Sequence, residues 1–120
     1  MRPQSAKAKG RNAQKEVRDA LLKHAPHLTT NDIRSTSMGA SGVDILLSES
    51  ALSTYPFSIE VKCQESLNIW AALKQAEDNA IIDGKDMARL YKPLLCFKRN
   101  RSEMYVAMKL EDFLGLKTKV

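Results

Sequence analysis

A seven-residue run, Phe57-Ser58-Ile59-Glu60-Val61-Lys62-Cys63, limits what this chain can become. Phe57, Ile59, Val61 and Cys63 alternate with Ser58, Glu60 and Lys62, which is the two-residue period of a β-strand, so Glu60 and Lys62 share one face. The strand is apolar enough to be core, and a charge placed in a core strand costs free energy unless it is paired or bound to a metal. Upstream, Ser41-Gly42-Val43-Asp44-Ile45 has the small residues of a tight turn followed by an aspartate at a strand start. If the two strands form a hairpin across a polar loop from Ser48 to Pro56, Asp44 comes to lie beside Glu60, and two carboxylates and a lysine converge. Oxygen ligands of this kind suit Mg²⁺ or Mn²⁺, ions that hold a phosphodiester and acidify a bound water. Lys62 then adds charge stabilisation in the transition state. A glutamate and a lysine two apart are by themselves most often a solvated face. The turn before Asp44 and the apolar flanks of both strands favour a site.

A chain of 120 residues is one domain, long enough to bury a core without staples. Nineteen basic residues against fourteen acidic ones leave a net charge of +5, which suggests an anionic partner without choosing between nucleic acid, membrane surface and acidic protein. No apolar run has the length of a membrane span and no signal-peptide core is present, so a cytoplasmic protein is expected. Cys63 and Cys96 lack metal-ligand spacing and read as reduced, buried thiols. His24 and His27 have no partners with which to hold zinc.

Residues 1–8 are polar and basic, with Pro3 among them, and are expected to form a flexible arm; Lys7, Lys9 and Arg11 make this end a candidate phosphate contact. From about Gly10 to Ala25, Ala13, Val17, Ala20 and Leu21 recur with helical spacing until Pro26 stops the helix. Glu16 lies on the border of that stripe. A turn from Leu28 leads into a short strand carrying Arg34, and Ser41 is positioned to donate to a phosphate. A second helix starts at the N-cap Asn68 and buries Ile69, Ala72, Leu73, Ala76 and Ala80, with Trp70 and Gln75 off the centre of the stripe. Asp83-Gly84 turns the chain, and a short helical piece is expected over residues 85–91. Leu94–Lys98 and Met104–Met108 read as a hairpin with the cationic tip Arg99-Asn100-Arg101-Ser102, and an amphipathic helix around Leu110, Phe113 and Leu114 follows.

The pattern Gly-Val-Asp followed by Ile-Glu-Val-Lys resembles the Asp…(Asp/Glu)-x-Lys signature of the restriction-endonuclease-like PD-(D/E)XK nucleases. Lys9-Gly10-Arg11-Asn12-Ala13-Gln14-Lys15-Glu16 is similar to the opening of the archaeal-type and phage Holliday junction resolvases, and the likeness runs from about Lys9 to Met108. This resemblance implies an α/β fold with a central mixed five-stranded sheet flanked by helices, one nuclease domain over residues 9–120, and a metal held by Glu16, Asp44, Glu60 and the Val61 carbonyl. It implies catalytic roles for those carboxylates and Lys62. DNA contacts from Arg34, Gln75 and the hairpin tip (Lys98, Arg99, Arg101) are implied as well.

The sequence therefore points to a Mg²⁺- or Mn²⁺-dependent endonuclease cutting four-way DNA junctions as a homodimer, in the host cytoplasm if phage-encoded. Two alternatives stay open. One is a structure-independent or other branched-DNA nuclease of the same fold, which would share these residues. The other is a non-catalytic nucleic-acid-binding protein in which the carboxylates merely pair with Lys62.

Overall fold

The computed structural model describes residues 3–36, 42–82, 85–87 and 91–116. Helix α1 (Pro3–Lys23) opens it. Proline at the first helical position gives up an N–H that has no intrahelical partner anyway, and the Ala, Lys, Gln and Arg that follow are good helix formers. Helix therefore begins well before Gly10, and residues 3–8, expected as part of a flexible arm, are helical. The helix ends ahead of Pro26, whose ring disfavours helical geometry in the residue before it. Ala13, Gln14 and Val17 form its buried face.

Strands β1 (Ile33–Ser35) and β2 (Ile45–Leu47) pair antiparallel, with Ile33 opposite Leu47 and Ser35 opposite Ile45. The next connection, read from the sequence as a polar loop, contains helix α2 (Glu49–Thr54). Ser48 makes that helix possible: its hydroxyl accepts the Ala51 N–H at 3.1 Å and donates to Asp32 Oδ1 at 2.8 Å. The Thr29 N–H and the Ser48 hydroxyl hold the Asp32 carboxyl below its ordinary range. Tyr55, at the end of α2, donates its hydroxyl to the Leu21 carbonyl at 2.7 Å and ties this connection to α1.

Strand β3 (Phe57–Cys63) pairs parallel with β6 (Lys92–Lys98), placing Glu60 opposite Leu95; β6 pairs antiparallel with β7 (Tyr105–Ala107). Parallel pairing needs a crossover, here helix α3 (Ile69–Asn79). Asn68 caps α3 as expected, its Oδ1 accepting the Ala71 N–H at 3.1 Å. Strand β5 (Lys85–Asp86), paired antiparallel with β4 (Ile81–Ile82), stands at the start of the 85–91 stretch where a helical piece was expected; residues 88–90 of that stretch, and the expected turn at 83–84, lie outside those described. Helix α4 (Leu110–Leu114) follows β7.

The five strands expected in one central sheet occur, among the described residues, as two ladders, β1-β2 and β3-β6-β7. The expected hairpin between the Asp44 and Glu60 strands is absent because β2 takes β1 as its partner and β3 takes β6. Helix α1 packs against β3 and β1, and α3 packs against β3 and β6. Covered in this way, β3 is buried from Ser58 to Val61; Ile33, Ile45 and Ile59 are fully enclosed in the core cluster, and Leu95 is fully enclosed on the other face of β6.

Candidate active site

Asp44 sits at the seam between the two ladders. Its N–H donates to the Ile59 carbonyl at 3.0 Å, and its own carbonyl accepts from the Thr36 N–H at 2.9 Å. Its Oδ2 accepts the Val61 N–H at 2.7 Å, so the carboxylate takes a main-chain donor that a strand carbonyl would otherwise satisfy. The bonds to Ile59 and Val61 bracket Glu60 and fix Asp44 beside it. Gly42, at φ +95°, lets the chain turn into this position.

Glu60 is only 3 % exposed. Its Oε2 accepts from Asn79 Nδ2 at 2.6 Å, and its Oε1 lies 3.6 Å from Lys62 Nζ. Burial, together with the charge of Asp44 and a hydrogen bond to it, pushes the Glu60 carboxyl up to about 7, against the opposing pull of Lys62 and Asn79. Two neighbouring carboxylates with one lysine near them are an unbalanced donor set, and protonation near neutrality is how such a pair relieves its repulsion. A hard divalent cation would relieve it as well, so the residues fit Mg²⁺ or Mn²⁺.

Asp44, Glu60, Val61 and Lys62 line one cleft of about 510 Å³, closed on the α1 side by Lys7, Gly10 and Gln14 and on the α3 side by Gln75. Of the residues expected to contact DNA, Lys7 and Gln75 lie in this cleft. Lys7 gets there because 7, 10 and 14 fall on one face of α1. Lys9, Lys98 and Arg101 lie instead in an adjoining recess with Asn12 and Asn100. Arg11 and Arg99 are exposed, Arg34 is exposed on β1, and Ser41 lies outside the described residues.

Glu16 departs from its expected place as a third carboxylate. It lines the adjoining recess and pairs with Lys98 Nζ at 3.0 Å. Among the described residues no group of three His, Cys, Asp or Glu side chains is arranged to hold a metal. The cause is helical phase: Gln14 and Glu16 point about 200° apart, so the turn that brings Gln14 into the cleft takes Glu16 away from it. The stripe of 14, 17 and 21, which Glu16 only borders, puts Gln14 on the packed face of α1 but does not show what it meets there. Asn79 lies one turn beyond Gln75 on the same edge of α3, but nothing in the chain order shows that it reaches Glu60.

The family model described as phage putative PDDEXK endonuclease matches residues 5–120. No curated protein and no solved structure matches the chain. Against the pattern spelled by the family's name, Val43 stands in place of the proline, whereas Asp44, Glu60, Val61 and Lys62 match. No helix among the described residues is long and apolar enough to cross a membrane. With nearly its whole length matched and those residues gathered in one cleft, the chain belongs to the phage putative PDDEXK endonuclease family.

Proposed function

We propose that the protein is a metal-dependent DNA endonuclease that hydrolyses phosphodiester bonds, and that its substrate is the four-way DNA junction. The observation that carries the hydrolytic reading is the pairing of Asp44 with a buried Glu60 whose carboxyl is raised to about 7, beside Lys62, in an open cleft. Asp44, Glu60 and the Val61 carbonyl would hold Mg²⁺ or Mn²⁺. Bound there, the ion would polarise the phosphate and acidify a water. Lys62 Nζ holds the attacking water or a non-bridging phosphate oxygen and offsets the charge that builds up on the phosphorus centre. Asn79 orients Glu60 through its 2.6 Å bond, and Lys7 and Gln75 contact the strand that enters the cleft.

The junction reading rests on the resolvase-like Lys9–Glu16 segment and on the net charge of +5, which suits a partner with several phosphate backbones. One observation favours a second reading, a nuclease of the same fold with no junction preference: Glu16, the acidic residue that the resolvase resemblance assigns to the metal, is paired with Lys98. Cleavage of a labelled four-way junction and of a linear duplex of the same sequence, with and without Mg²⁺, separates the two. Junction cutting that needs the ion supports the first reading, and equal cutting of both substrates supports the second. No cutting of either sinks the enzyme reading altogether.

A further inference from the structure

Helix α4 buries none of its residues: Leu110, Phe113 and Leu114 are each more than half exposed. Trp70 on α3 is 83 % exposed, and Tyr105 and Val106 on β7 are also more than half exposed. Trp70, Tyr105 and the α4 residues Leu110, Phe113 and Leu114, which fall on one stripe of that helix, border one side of the molecule, whereas Val106, next to Tyr105 in the strand, points to the opposite face of its ladder. Trp70, Met108 and Leu110 line a single groove, the neighbouring Ile69 lines a cleft with Tyr105, and Lys109 Nζ sits 3.8 Å from Glu77 Oε1, holding the start of α4 against α3. Among the described residues strand β7 is the terminal strand of its ladder.

We propose that this α3-β7-α4 face is the surface through which two copies of the chain associate. The inference rests on the paired-incision side of the junction reading, because one chain carries one cleft and two-fold symmetry supplies a second. Trp70, Tyr105, Leu110, Phe113 and Leu114 offer roughly 700 Å² of accessible surface, close to the amount that each partner contributes to a stable interface. The surrounding charges are mixed: Lys74, Glu77 and Lys109 line the groove with Trp70, and Glu65, Lys98 and Arg99 line the cleft with Tyr105. A rim carrying both signs of charge can pair with its own copy under a two-fold rotation. Trp70, Lys74 and Glu77 follow one edge of α3, while Gln75 and Asn79, which serve the active site, lie about 140° and about 180° round the helix from Trp70. An interface on the Trp70 side therefore leaves both clefts open to DNA.

Sedimentation velocity of the full chain at micromolar concentrations, without DNA or metal, tests this apart from any nuclease activity. The expected result is a species of twice the 13.4 kDa chain mass that persists in high salt. Trp70→Glu and Leu110→Glu should each weaken association at least tenfold while leaving the circular-dichroism spectrum unchanged, since both side chains are at the surface. Because Trp70 is the sole tryptophan, its emission in the unmodified protein should move to longer wavelength on dilution as the dimer separates. A monomer at every concentration, a dimer insensitive to both substitutions, or a solvent-exposed emission spectrum throughout would overturn the proposal. If one variant fails to fold, the other and the tryptophan emission decide.

Discussion

Asn79 and Glu60 are joined by a 2.6 Å hydrogen bond from the last turn of α3 to the middle of β3, a contact between two elements that converge only because β3 and β6 run parallel beneath that helix. Replacing Asn79 with Leu removes a donor that favours the ionised form of Glu60 and should push its carboxyl still higher. The expected outcome is an acidic limb of the cleavage pH profile displaced upward, with restoration toward the original profile by Asn79→Gln. An unchanged limb would make Asn79 a packing residue only.

Asp44 has two separable duties. Asp44→Asn removes the charge but keeps an oxygen for the Val61 N–H, so cleavage should fall by about 10²-fold or more while the fold and DNA binding persist. Asp44→Ala leaves that partly buried N–H without its acceptor and should cost a further 1–3 kcal/mol or so of stability in urea unfolding. Equal stability of the two variants would mean that the bond contributes nothing.

For Glu60, stability and acidity are linked with a definite sign. Its carboxyl is raised from an unfolded value of about 4.5 to about 7 in the folded protein, so between these limits the folded state binds more protons than the unfolded state. This group's contribution is fully present below about pH 4.5 and is lost as pH rises through about 7. Metal-free protein should therefore lose on the order of 1–3 kcal/mol between pH 5 and pH 8 through this group. Glu60→Gln should flatten that dependence, and a thermal melt series across this range reads the difference. Parallel curves for the two proteins would refute the assignment.

Divalent cations should raise the melting temperature of the unmodified protein at pH 7.5 and release protons on binding, because the ion displaces the proton from the Asp44–Glu60 pair. Mg²⁺ and Mn²⁺ should support cleavage, whereas Ca²⁺, which prefers more ligands and looser geometry, should support DNA binding with little turnover. Calorimetric titration of Asp44→Asn should show the binding lost. Full cleavage in excess EDTA would rule out the metal.

Glu16→Gln tests the departure from the expected carboxylate trio. The Glu16–Lys98 pair is partly exposed, so its loss should change stability by less than about 1 kcal/mol, and cleavage should stay within a few-fold of the unmodified protein. Freeing Lys98 beside Lys9 and Arg101 should also tighten DNA binding and steepen its salt dependence. A loss of cleavage as large as that from Asp44→Asn would return Glu16 to the metal.

Strand β3, the capped start of α3 and the β6-β7 hairpin were determined by the sequence, because each depends on a short-range rule: a two-residue period, an N-cap, a tight connection between two strand-like runs; Asp44 instead reaches Glu60 through its bonds to Ile59 and Val61 and not through the expected hairpin. Tertiary structure alone decided that Gln14 rather than Glu16 faces the cleft, that Asn79 closes on Glu60, and that β2 turns to β1 instead of completing a hairpin with β3. It also decided that Leu110, Phe113 and Leu114, which read as a face for the core, remain at the surface. The physical reason is common to all four. Periodicity fixes which residues share a face, but the phase of a helix about its axis and the partner of a strand are set by what packs against them, and those contacts join positions distant in the chain.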